Sequence, residues 1–311
     1  MKTFLNKLIW VLILGTFLIS VIPNIFSDYW LIDIFSNFKL QYLFIALVLS
    51  IIVSIVFKNK AYALVILFAT LLWNGYFIAP YYIASLDNPT SNPNNFKLAS
   101  INLLSSNLEI ELVQNYIKRE NPDVLVLIEF TPRWENELQS IIDDFPFKKL
   151  VTRTDNFGIA LLSKFEMKSS VDYFGLNNKP SIIAGLNIKN QNFTVIATHP
   201  VPPVNQASFE SRNQLLQNLL SRKSEFSKNL IIIGDLNTSS FSNHFDNLTK
   251  YHLKDSRIGF GLLPTWPADV KILQTTLDHC LVSQHLKVYK RETGEYIGSD
   301  HLPIHLTIGL N

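Results

Sequence analysis

Three long uncharged segments near the N-terminus constrain the fold of this 311-residue chain more than any other feature. They read LIWVLILGTFLISVI at 8–22, LQYLFIALVLSIIVSIVF at 40–57, and a third uncharged run covers 61–84. A helix needs roughly 20 apolar residues to cross a bilayer core of about 30 Å. The second and third segments have this length, and the first reaches it if the helix extends over 4–26. We therefore predict a membrane region at 1–84 with about three transmembrane helices.

Two alternatives to three spans follow from the flanking residues. A cleaved signal peptide would use Lys2 and Lys7 as its basic start, but no small-x-small cleavage site follows the first apolar run. Two further apolar segments follow directly, which favours an uncleaved anchor. The second alternative is two spans plus an interfacial segment, because DYWLIDIFSNF at 28–38 is rich in aromatic residues that favour the membrane interface.

The distribution of lysines predicts the orientation of this region. Two lysines lie in the N-terminal tail and two lie between the second and third segments, whereas the loop between the first two segments is net acidic. Basic residues favour the cytoplasmic side of a membrane. With three spans, everything after the third segment is then expected outside the cytoplasm.

A change of sequence pattern marks a second region. SLDNPTSNPNN at 85–95 is polar, contains two prolines and reads as a linker. From 96 to 311, short apolar runs alternate with helical stretches, and Thr131-Pro132 has the residues of a helix start. Strands mixed with helices indicate an α/β fold with a mixed sheet. The predicted strands cover 97–102, 124–130, 157–163, 181–188, 193–199, 230–233, 277–283, 286–292 and 303–310.

Polar residues occupy the carboxyl ends of several predicted strands. Asn102, Glu129, His199 and Asp235 each end or directly follow an apolar run, and Asn237 lies two residues after Asp235 in GDLN. Gly, Asp and Asn are also ordinary turn residues, so a single example would indicate only a loop. Several strands ending in this way indicate a functional site, because sites in α/β sheets lie at the carboxyl edge.

Two further polar groups lie near the end of the sequence. Asp300 and His301 stand in GSDHLPIHL just before the final predicted strand, and Asp278 begins the strand LDHCLVS. These residues complete an ordered series of candidate site residues from 102 to 301.

From about Phe96 the chain resembles the endonuclease/exonuclease/phosphatase superfamily, which has the DNase I-like fold. The matching pieces occur in the order of that family, namely SIN, LIEF, GIALLS, ATH, GDLN, TLDHCLVS and SDHLP. Thr265-Trp266-Pro267 is similar to a TWP of membrane-anchored bacterial members. The resemblance implies a two-sheet α/β sandwich as the catalytic domain at 96–311. Together with the apolar segments and the lysine distribution, it predicts a multi-pass protein of the bacterial inner membrane whose catalytic domain is periplasmic. It also implies hydrolysis of a phosphoester with a divalent metal, usually Mg²⁺, or Mn²⁺.

The metal ligands implied by the resemblance are Asn102, Glu129 and Asp300. Mg²⁺ prefers oxygen ligands and keeps several waters, so one or two carboxylates are sufficient, and Glu129 is the best candidate. Many nucleases of the family carry an acidic residue two positions after the first asparagine, where this chain has Leu104. The sequence therefore leaves both one and two metal ions as alternatives.

The catalytic roles implied by the resemblance agree with the chemistry of the residues. Asp235 is the candidate that orients and deprotonates the attacking water. Asn237 and His199 are candidates for hydrogen bonds to the phosphate oxygens. His301, as imidazolium, would do the same, with Asp278 fixing its tautomer and raising its basicity.

Three functions are compatible with these residues: a membrane-anchored phosphoesterase, a DNA endonuclease or exonuclease, and a catalytically inactive binding module. Residues 97–311 contain 22 Lys plus Arg and 22 Asp plus Glu, so the region lacks the overall basic charge typical of duplex DNA binding. Arg153, Lys179 and Arg212 are the candidates for a local basic patch. Trp134 and Trp266 are predicted mainly to pack. The expected partners are the bilayer and a phosphoester substrate, whether nucleic acid, phospholipid head group or small phosphate ester, and no protein partner is evident.

Overall fold

A computed structural model of the chain describes residues 2–83, 95–176 and 178–310. The linker predicted at 85–95 lies outside these residues except for Asn95. The regular secondary structure of the N-terminal region is helical where it is described, with turns between the helices. Its elements are α1 (Lys2–Ile25), α2 (Trp30–Asp33), a 3-10 helix (Ile34–Phe38), α3 (Lys39–Val56) and α4 (Ala61–Tyr82).

Three of these helical stretches have the length and composition to cross a membrane, as the sequence predicts. They are Phe4–Ile25, Trp30–Val56 and Ala61–Tyr82, which contain 22, 27 and 22 residues. Small and medium apolar side chains such as Ile13, Ala46 and Leu67 pack where the helices meet. Many of their other large apolar side chains are exposed on the outside of the bundle. A bilayer would cover such a surface.

All three long helices meet the rest of the chain at the same end of the bundle. At the end of α1, Asn24 Nδ2 donates to the carbonyl oxygen of Phe241 at 3.0 Å. At the start of α3, Gln41 Nε2 donates to the carbonyl oxygen of Ile272 at 3.0 Å. At the end of α4, the carbonyl oxygen of Tyr81 accepts from the amide of Gly261 at 2.7 Å.

The described residues after 94 build two six-stranded mixed sheets, numbered here in chain order. The first has the order β11-β12-β1-β2-β4-β3, and the second has the order β5-β6-β7-β8-β10-β9. The strands are β1 (Phe96–Asn102), β2 (Val124–Ile128), β3 (Phe147–Val151), β4 (Ile159–Ser163), β5 (Met167–Asp172), β6 (Ser181–Ile188), β7 (Gln191–Ala197), β8 (Asn229–Asp235), β9 (Leu253–Asp255), β10 (Asp278–Ser283), β11 (Leu286–Thr293) and β12 (Ile304–Leu310).

Helices cover the outer face of each sheet, which gives four layers. The two sheets pack face to face through a core that includes Leu98, Val126, Val195 and Ile231. Separate apolar cores join each sheet to its helices. The helices are α5 (Ile110–Glu120), α6 (Pro132–Glu137), α7 (Gln139–Asp143), α8 (Gln206–Ser221) and α9 (Asn243–Thr249), with 3-10 helices at Lys223–Glu225 and Lys271–Leu273. The two-sheet α/β sandwich is confirmed.

Each sheet contains one pair of parallel strands, β1 with β2 and β7 with β8. The remaining pairs are antiparallel, and the last strand, β12, lies between β11 and β1. Parallel strands of one pair end at the same edge of the sheet. The helix start at Thr131 is also confirmed, since Thr131 Oγ1 accepts from the amide of Trp134 at 3.3 Å. Three short strands, β3, β5 and β9, are absent from the strands predicted by the sequence.

Candidate active site

The carboxyl ends of the two parallel pairs meet at one edge of the sandwich. Asn102 ends β1 and Glu129 follows β2, while His199 follows β7 and Asp235 ends β8. Asn102 Nδ2 donates to Asp235 Oδ2 at 3.3 Å, so groups from the two sheets are in direct contact. The structure therefore brings together the strand-end residues that the sequence singled out.

The backbone at this edge adopts conformations that L-amino acids rarely use. Glu129 and Asn237 have φ angles of 59° and 50°, and Leu104 has 54°. Such left-handed residues cost on the order of 1–3 kcal/mol each and occur preferentially at functional sites. Gly234 has φ 148°, and a Cβ there would lie 2.0 Å from the carbonyl oxygen of Thr198. The glycine of GDLN is thus required by a close approach of two backbones.

Asp235 Oδ2 lies at the centre of three nitrogen atoms. Besides the amide of Asn102, His199 Nε2 lies 3.6 Å away and His301 Nε2 lies 3.5 Å away. The other carboxylate oxygen, Oδ1, accepts from the backbone amide of Asn237 at 2.9 Å. Asn237 Nδ2 in turn donates to the carbonyl oxygen of Pro200 at 3.0 Å, which fixes its amide beside the same carboxylate.

Asp278 and His301 form a buried pair beside this centre. Asp278 lies opposite Asp235 in the antiparallel register of β10 with β8. His301 Nδ1 and Asp278 Oδ2 are 2.7 Å apart, and both side chains are almost fully buried. The pairing leaves His301 Nε2 directed towards Asp235, as the predicted orientation of the imidazole by Asp278 requires.

Burial and neighbouring charges shift the pKa values of these groups in opposite directions. Burial would lower the pKa of His301, but Asp278 and Asp235 outweigh it and raise the pKa to about 10. Burial raises the pKa of Asp235 to about 7, in spite of the positive charge of His301. Burial lowers the pKa of His199 to about 4, so this imidazole is neutral at pH 7. Divergent pKa values in one cleft are typical of acid–base sites.

The three predicted metal ligands line one side of the same site. Burial raises the pKa of Glu129, and the charge of Asp300 adds to this effect. Among the described residues, Asp300 Oδ1 is buried without a hydrogen-bond partner, while Asp300 Oδ2 accepts from Trp266 Nε1 at 3.2 Å. Glu129 and Asp300, the latter with an unused buried oxygen, are a suitable set for a hard divalent cation. Asn102 Oδ1 accepts from the amide of Leu104 at 3.1 Å and retains a second lone pair.

A second group of potential ligands, Asp235, Asp278 and His301, has ligand atoms within 4.8 Å of one another. The shortest distance within this group belongs to the hydrogen bond between His301 Nδ1 and Asp278 Oδ2, so these two atoms already bind each other. A protonated imidazole cannot bind a metal, and its positive charge already pairs with Asp278. Glu129 and Asp300 therefore fit a cation better than this trio.

The site opens into a cavity of about 670 Å³ whose lining extends beyond the predicted residues. Trp266 lines it, whereas Trp134 is fully buried in the core, so the packing prediction holds for Trp134 alone. Asp33, between α1 and α3, also lines the cavity and lies 3.4 Å from Arg212 Nη2. Asp33 is far from the other site residues in the sequence, so no local sequence pattern indicates that it lines the cavity.

The proposed basic patch of Arg153, Lys179 and Arg212 does not form a free cationic surface. Arg212 is 1% exposed and paired with Asp33. Arg153 makes two hydrogen bonds, of 2.7 and 2.6 Å, to the carboxylate of Asp155. Lys179 lies over the ring of Phe157 at 3.1 Å from its centroid. Two of the three charges are thus neutralised by carboxylates.

Comparisons with known proteins show the family of the chain and proteins with a similar fold. The Endonuclease/Exonuclease/phosphatase family matches residues 99–301. The structure is similar to TDP2 from D. rerio in complex with a single-strand DNA product, with a TM-score of 0.60 and 15% identity over 69% of this chain and 99% of that chain. It is also similar to a family protein from Leptotrichia buccalis (TM-score 0.55, 17% identity, 68% of this chain and 98% of that chain). A third similar structure comes from Beutenbergia cavernae (TM-score 0.53, 15% identity, 70% and 72%). No curated protein gives a significant match.

Proposed function

Because this chain belongs to the Endonuclease/Exonuclease/phosphatase family, we propose that it is a membrane-anchored, divalent-metal-dependent phosphoesterase. The reaction is the hydrolysis of a phosphodiester or phosphomonoester by in-line attack of an activated water. The observation that carries the proposal is the convergence of one carboxylate oxygen, Asp235 Oδ2, with the side chains of Asn102, His199 and His301.

Asp235 is suited to receive the proton of the attacking water. Its pKa, raised to about 7 by burial, lies near the pH at which a general base works best. The backbone amide of Asn237 holds one carboxylate oxygen, so the carboxylate has one fixed orientation. A fixed base reduces the entropic cost of aligning the water with the phosphorus atom.

The phosphate oxygens would be bound by donors on the other side of the site. His301 carries a positive charge, since Asp278 and Asp235 raise its pKa to about 10 against the effect of burial. His199 and the amide of Asn237 provide neutral N–H donors. Preorganised donors of this kind stabilise the charge that develops on the phosphoryl group in the transition state.

Asn102, Glu129 and Asp300 would hold the cation. When bound there, Mg²⁺ or Mn²⁺ would polarise a phosphoryl oxygen and neutralise part of its charge. The support for this assignment is the buried, unpartnered Oδ1 of Asp300 beside Glu129.

The membrane anchor forms the second half of the proposal. Residues 1–84 would form the membrane region with three spans, 85–95 the linker, and 96–311 the catalytic domain. The three apolar helices and their contacts with the domain at one common end support an odd number of spans. The lysine distribution supports an extracytoplasmic, periplasmic location of the catalytic domain in a bacterial inner membrane.

Hydrolysis of DNA is the second candidate function. The similar D. rerio TDP2 structure contains a single-strand DNA product. Against this function here, Arg212 and Arg153 are paired with carboxylates and do not form a free basic surface. Nucleic acid binding normally relies on such a surface. The third candidate, an inactive binding module, does not account for the complete set of acid, base and donor groups.

The proposal is tested by hydrolysis of bis(4-nitrophenyl) phosphate by the full chain in detergent with added Mn²⁺. We expect metal-dependent release of nitrophenolate that Asp235→Asn reduces by at least 100-fold. Asp246→Asn, on the exposed surface of α9, is the matched control and should retain the full rate. Equal rates for wild type and Asp235→Asn, or no turnover with any divalent metal, would contradict the proposal.

A further inference from the structure

The active-site cavity is not formed by the catalytic domain alone. Asp33, Ile34 and Asn37 line it together with Glu129 and Asp235. The first three residues lie between α1 and α3, at the beginning of the second apolar stretch, Trp30–Val56. If both helices cross the bilayer, their connection lies at its surface, and the cavity lies there as well.

The connecting segment is held against the catalytic domain by side-chain hydrogen bonds. Ser242 Oγ donates to Asp33 Oδ1 at 2.6 Å. The amide of Trp30 donates to Gln206 Oε1 at 3.0 Å. Asp33 is only 4% exposed, which shows that the segment is packed into the domain. The membrane region thus supplies a fixed wall of the site.

The walls around the reacting groups are largely apolar. Ile34, Phe157, Leu277 and the stretch 201–204 (Val-Pro-Pro-Val) line the cavity. Among the residues that the structure describes, the lining contains five carboxylates, and Arg212 is the single lysine or arginine in it. A long polyanion would meet few positively charged side chains here. One phosphate with an apolar substituent would match both the polar reacting groups and the apolar walls of the cavity.

Exposed apolar side chains extend this surface outside the cavity. Leu31 and Phe35 of the connecting segment are exposed, and so are Ile272 and Leu273 of the domain. The segment at 271–273 lies beside α3, because Gln41 Nε2 donates to the carbonyl oxygen of Ile272. Apolar side chains next to a spanning helix are in position to enter the membrane interface.

We propose that the substrate is a lipid phosphoester that enters from the bilayer surface. Its phosphate would lie at Asp235 and His301, and its apolar part along Ile34 and the 201–204 stretch. This inference rests on the proposed phosphoesterase function and specifies the substrate class of the same site.

The test uses the full chain in nanodiscs or detergent with Mn²⁺ and three kinds of substrate. The lipids are phosphatidylglycerol, phosphatidylethanolamine and phosphatidic acid in vesicles. Their dihexanoyl analogues are supplied as soluble monomers, and a single-stranded oligonucleotide is the third substrate. We expect kcat/KM for at least one long-chain lipid to exceed that for its short-chain analogue and for the oligonucleotide by tenfold or more.

A matched pair of variants tests the apolar wall. Val204 lines the cavity and is 66% exposed, so Val204→Asn should fold normally. It should lower kcat/KM for the long-chain lipid roughly tenfold more than for bis(4-nitrophenyl) phosphate, because the apolar contact that a bound acyl chain would make with the valine is lost. Leu108, 78% exposed and outside the cavity lining, provides the control, and Leu108→Asn should change neither rate.

The outcomes separate this inference from the proposed function. If bis(4-nitrophenyl) phosphate is hydrolysed but the long-chain lipids are not preferred, the lipid inference is wrong and the phosphoesterase function stands. If no substrate is hydrolysed with any metal, the proposed function is wrong and the lipid inference is wrong with it.

A different observation carries a second inference, which concerns Asp33. Arg212 Nη2 lies 3.4 Å from Asp33 Oδ2, and Arg212 Nη1 donates to the carbonyl oxygen of Asn237 at 2.6 Å. Asn237 has φ 50° and belongs to the proposed donors. We infer that Asp33 is a positioning residue, which holds the Arg212 guanidinium against the strained backbone of Asn237.

Two single variants and their combination distinguish positioning from mere stabilisation. Asp33→Asn leaves the Arg212 charge buried without its partner, so both thermal stability and kcat should fall, the latter by tenfold or more with little change in KM. Adding Arg212→Met removes the unpaired charge, so stability should recover while kcat stays low. Asp28→Asn, on the same segment but exposed, is the control with wild-type behaviour. A kcat for Asp33→Asn within twofold of wild type, or recovery of kcat in the double variant, would overturn the inference.

Discussion

Replacing Asp278 by asparagine should disable the active site as thoroughly as removing His301. The two groups share one hydrogen bond of 2.7 Å in a buried environment. Against the effect of burial, Asp278 and Asp235 raise the pKa of His301 from 6.5 to about 10. At 1.36 kcal/mol per unit, this difference favours the imidazolium by on the order of 5 kcal/mol. Without Asp278, only the charges of Asp235 and Asp300 oppose the effect of burial on the pKa of His301, and we expect a neutral imidazole.

The expected loss of rate follows from the role of the imidazolium. Removing one preorganised donor from a transition state costs about 10²–10³ in kcat, or roughly 3–4 kcal/mol. Asp278→Asn and His301→Gln should each show such a loss. The double variant should lose no more than either single variant, because both changes remove the same charged donor. The coupling free energy is then about as large as each single effect.

The assay is kcat for bis(4-nitrophenyl) phosphate with Mn²⁺ at saturating substrate, measured for the full chain and the three variants. Circular dichroism and thermal unfolding show whether each variant is folded. A matched control exists outside the cavity lining, where His305 Nε2 lies 2.8 Å from Glu292 Oε2. Glu292→Gln and His305→Gln should leave kcat unchanged, because neither residue lines the cavity. Losses that multiply in the Asp278→Asn, His301→Gln double variant, to 10⁴-fold or more, would refute the coupling.

Three other predictions test the metal site, the backbone and the topology. Glu129→Gln should nearly abolish Mn²⁺ binding measured by calorimetry, because Asp300 is then the one carboxylate left among the three proposed ligands, while Glu137→Gln on the exposed surface of α6 should bind normally. Equal affinities of the two variants would remove Glu129 from the ligand set. Gly234→Ala should lower the unfolding temperature by several degrees, because its Cβ would meet a carbonyl oxygen at 2.0 Å, whereas Gly185→Ala, with 3.6 Å to its nearest atom, should have little effect. A similar unfolding temperature for both would contradict the close approach. Alkaline phosphatase fused after Asn311 should be active and a fluorescent fusion dark, and the reverse pattern would place the catalytic domain in the cytoplasm.

The sequence predicts the central strands of the fold because these strands are buried on both faces. β2 and β8 are buried along their whole length and appear as continuous apolar runs. The three strands that escaped prediction, β3, β5 and β9, lie at sheet edges. β3 and β5 are half exposed, and β9 has only three residues, so none carries a long apolar run. Their place in the sheet depends on neighbours that a local pattern does not contain.

The candidate site also contains residues that a local sequence pattern reveals and residues that it does not. The residues at strand ends were found because a polar side chain after an apolar run is a local signal. Asp33 gave no such signal, since it reads as one acidic residue in an aromatic-rich loop, and its partner Arg212 lies 179 positions away. An isolated tryptophan is usually buried, so the sequence predicts a packing role for Trp266, although this residue lines the cavity. Contacts between the membrane region and the catalytic domain arise from the tertiary fold.

The position of β12 between β11 and β1 has a consequence for biosynthesis. A ribosome must add roughly 200 residues after β1 before β12 emerges. During that interval the edge of β1 that finally pairs with β12 has free backbone groups, and such edges promote aggregation of nascent chains. An apolar N-terminal region already inserted in the bilayer would keep each growing chain at the membrane and away from its neighbours on other ribosomes. Translation that stops before Ile304 would leave the first sheet open, and these products are expected to be substrates for quality-control proteases.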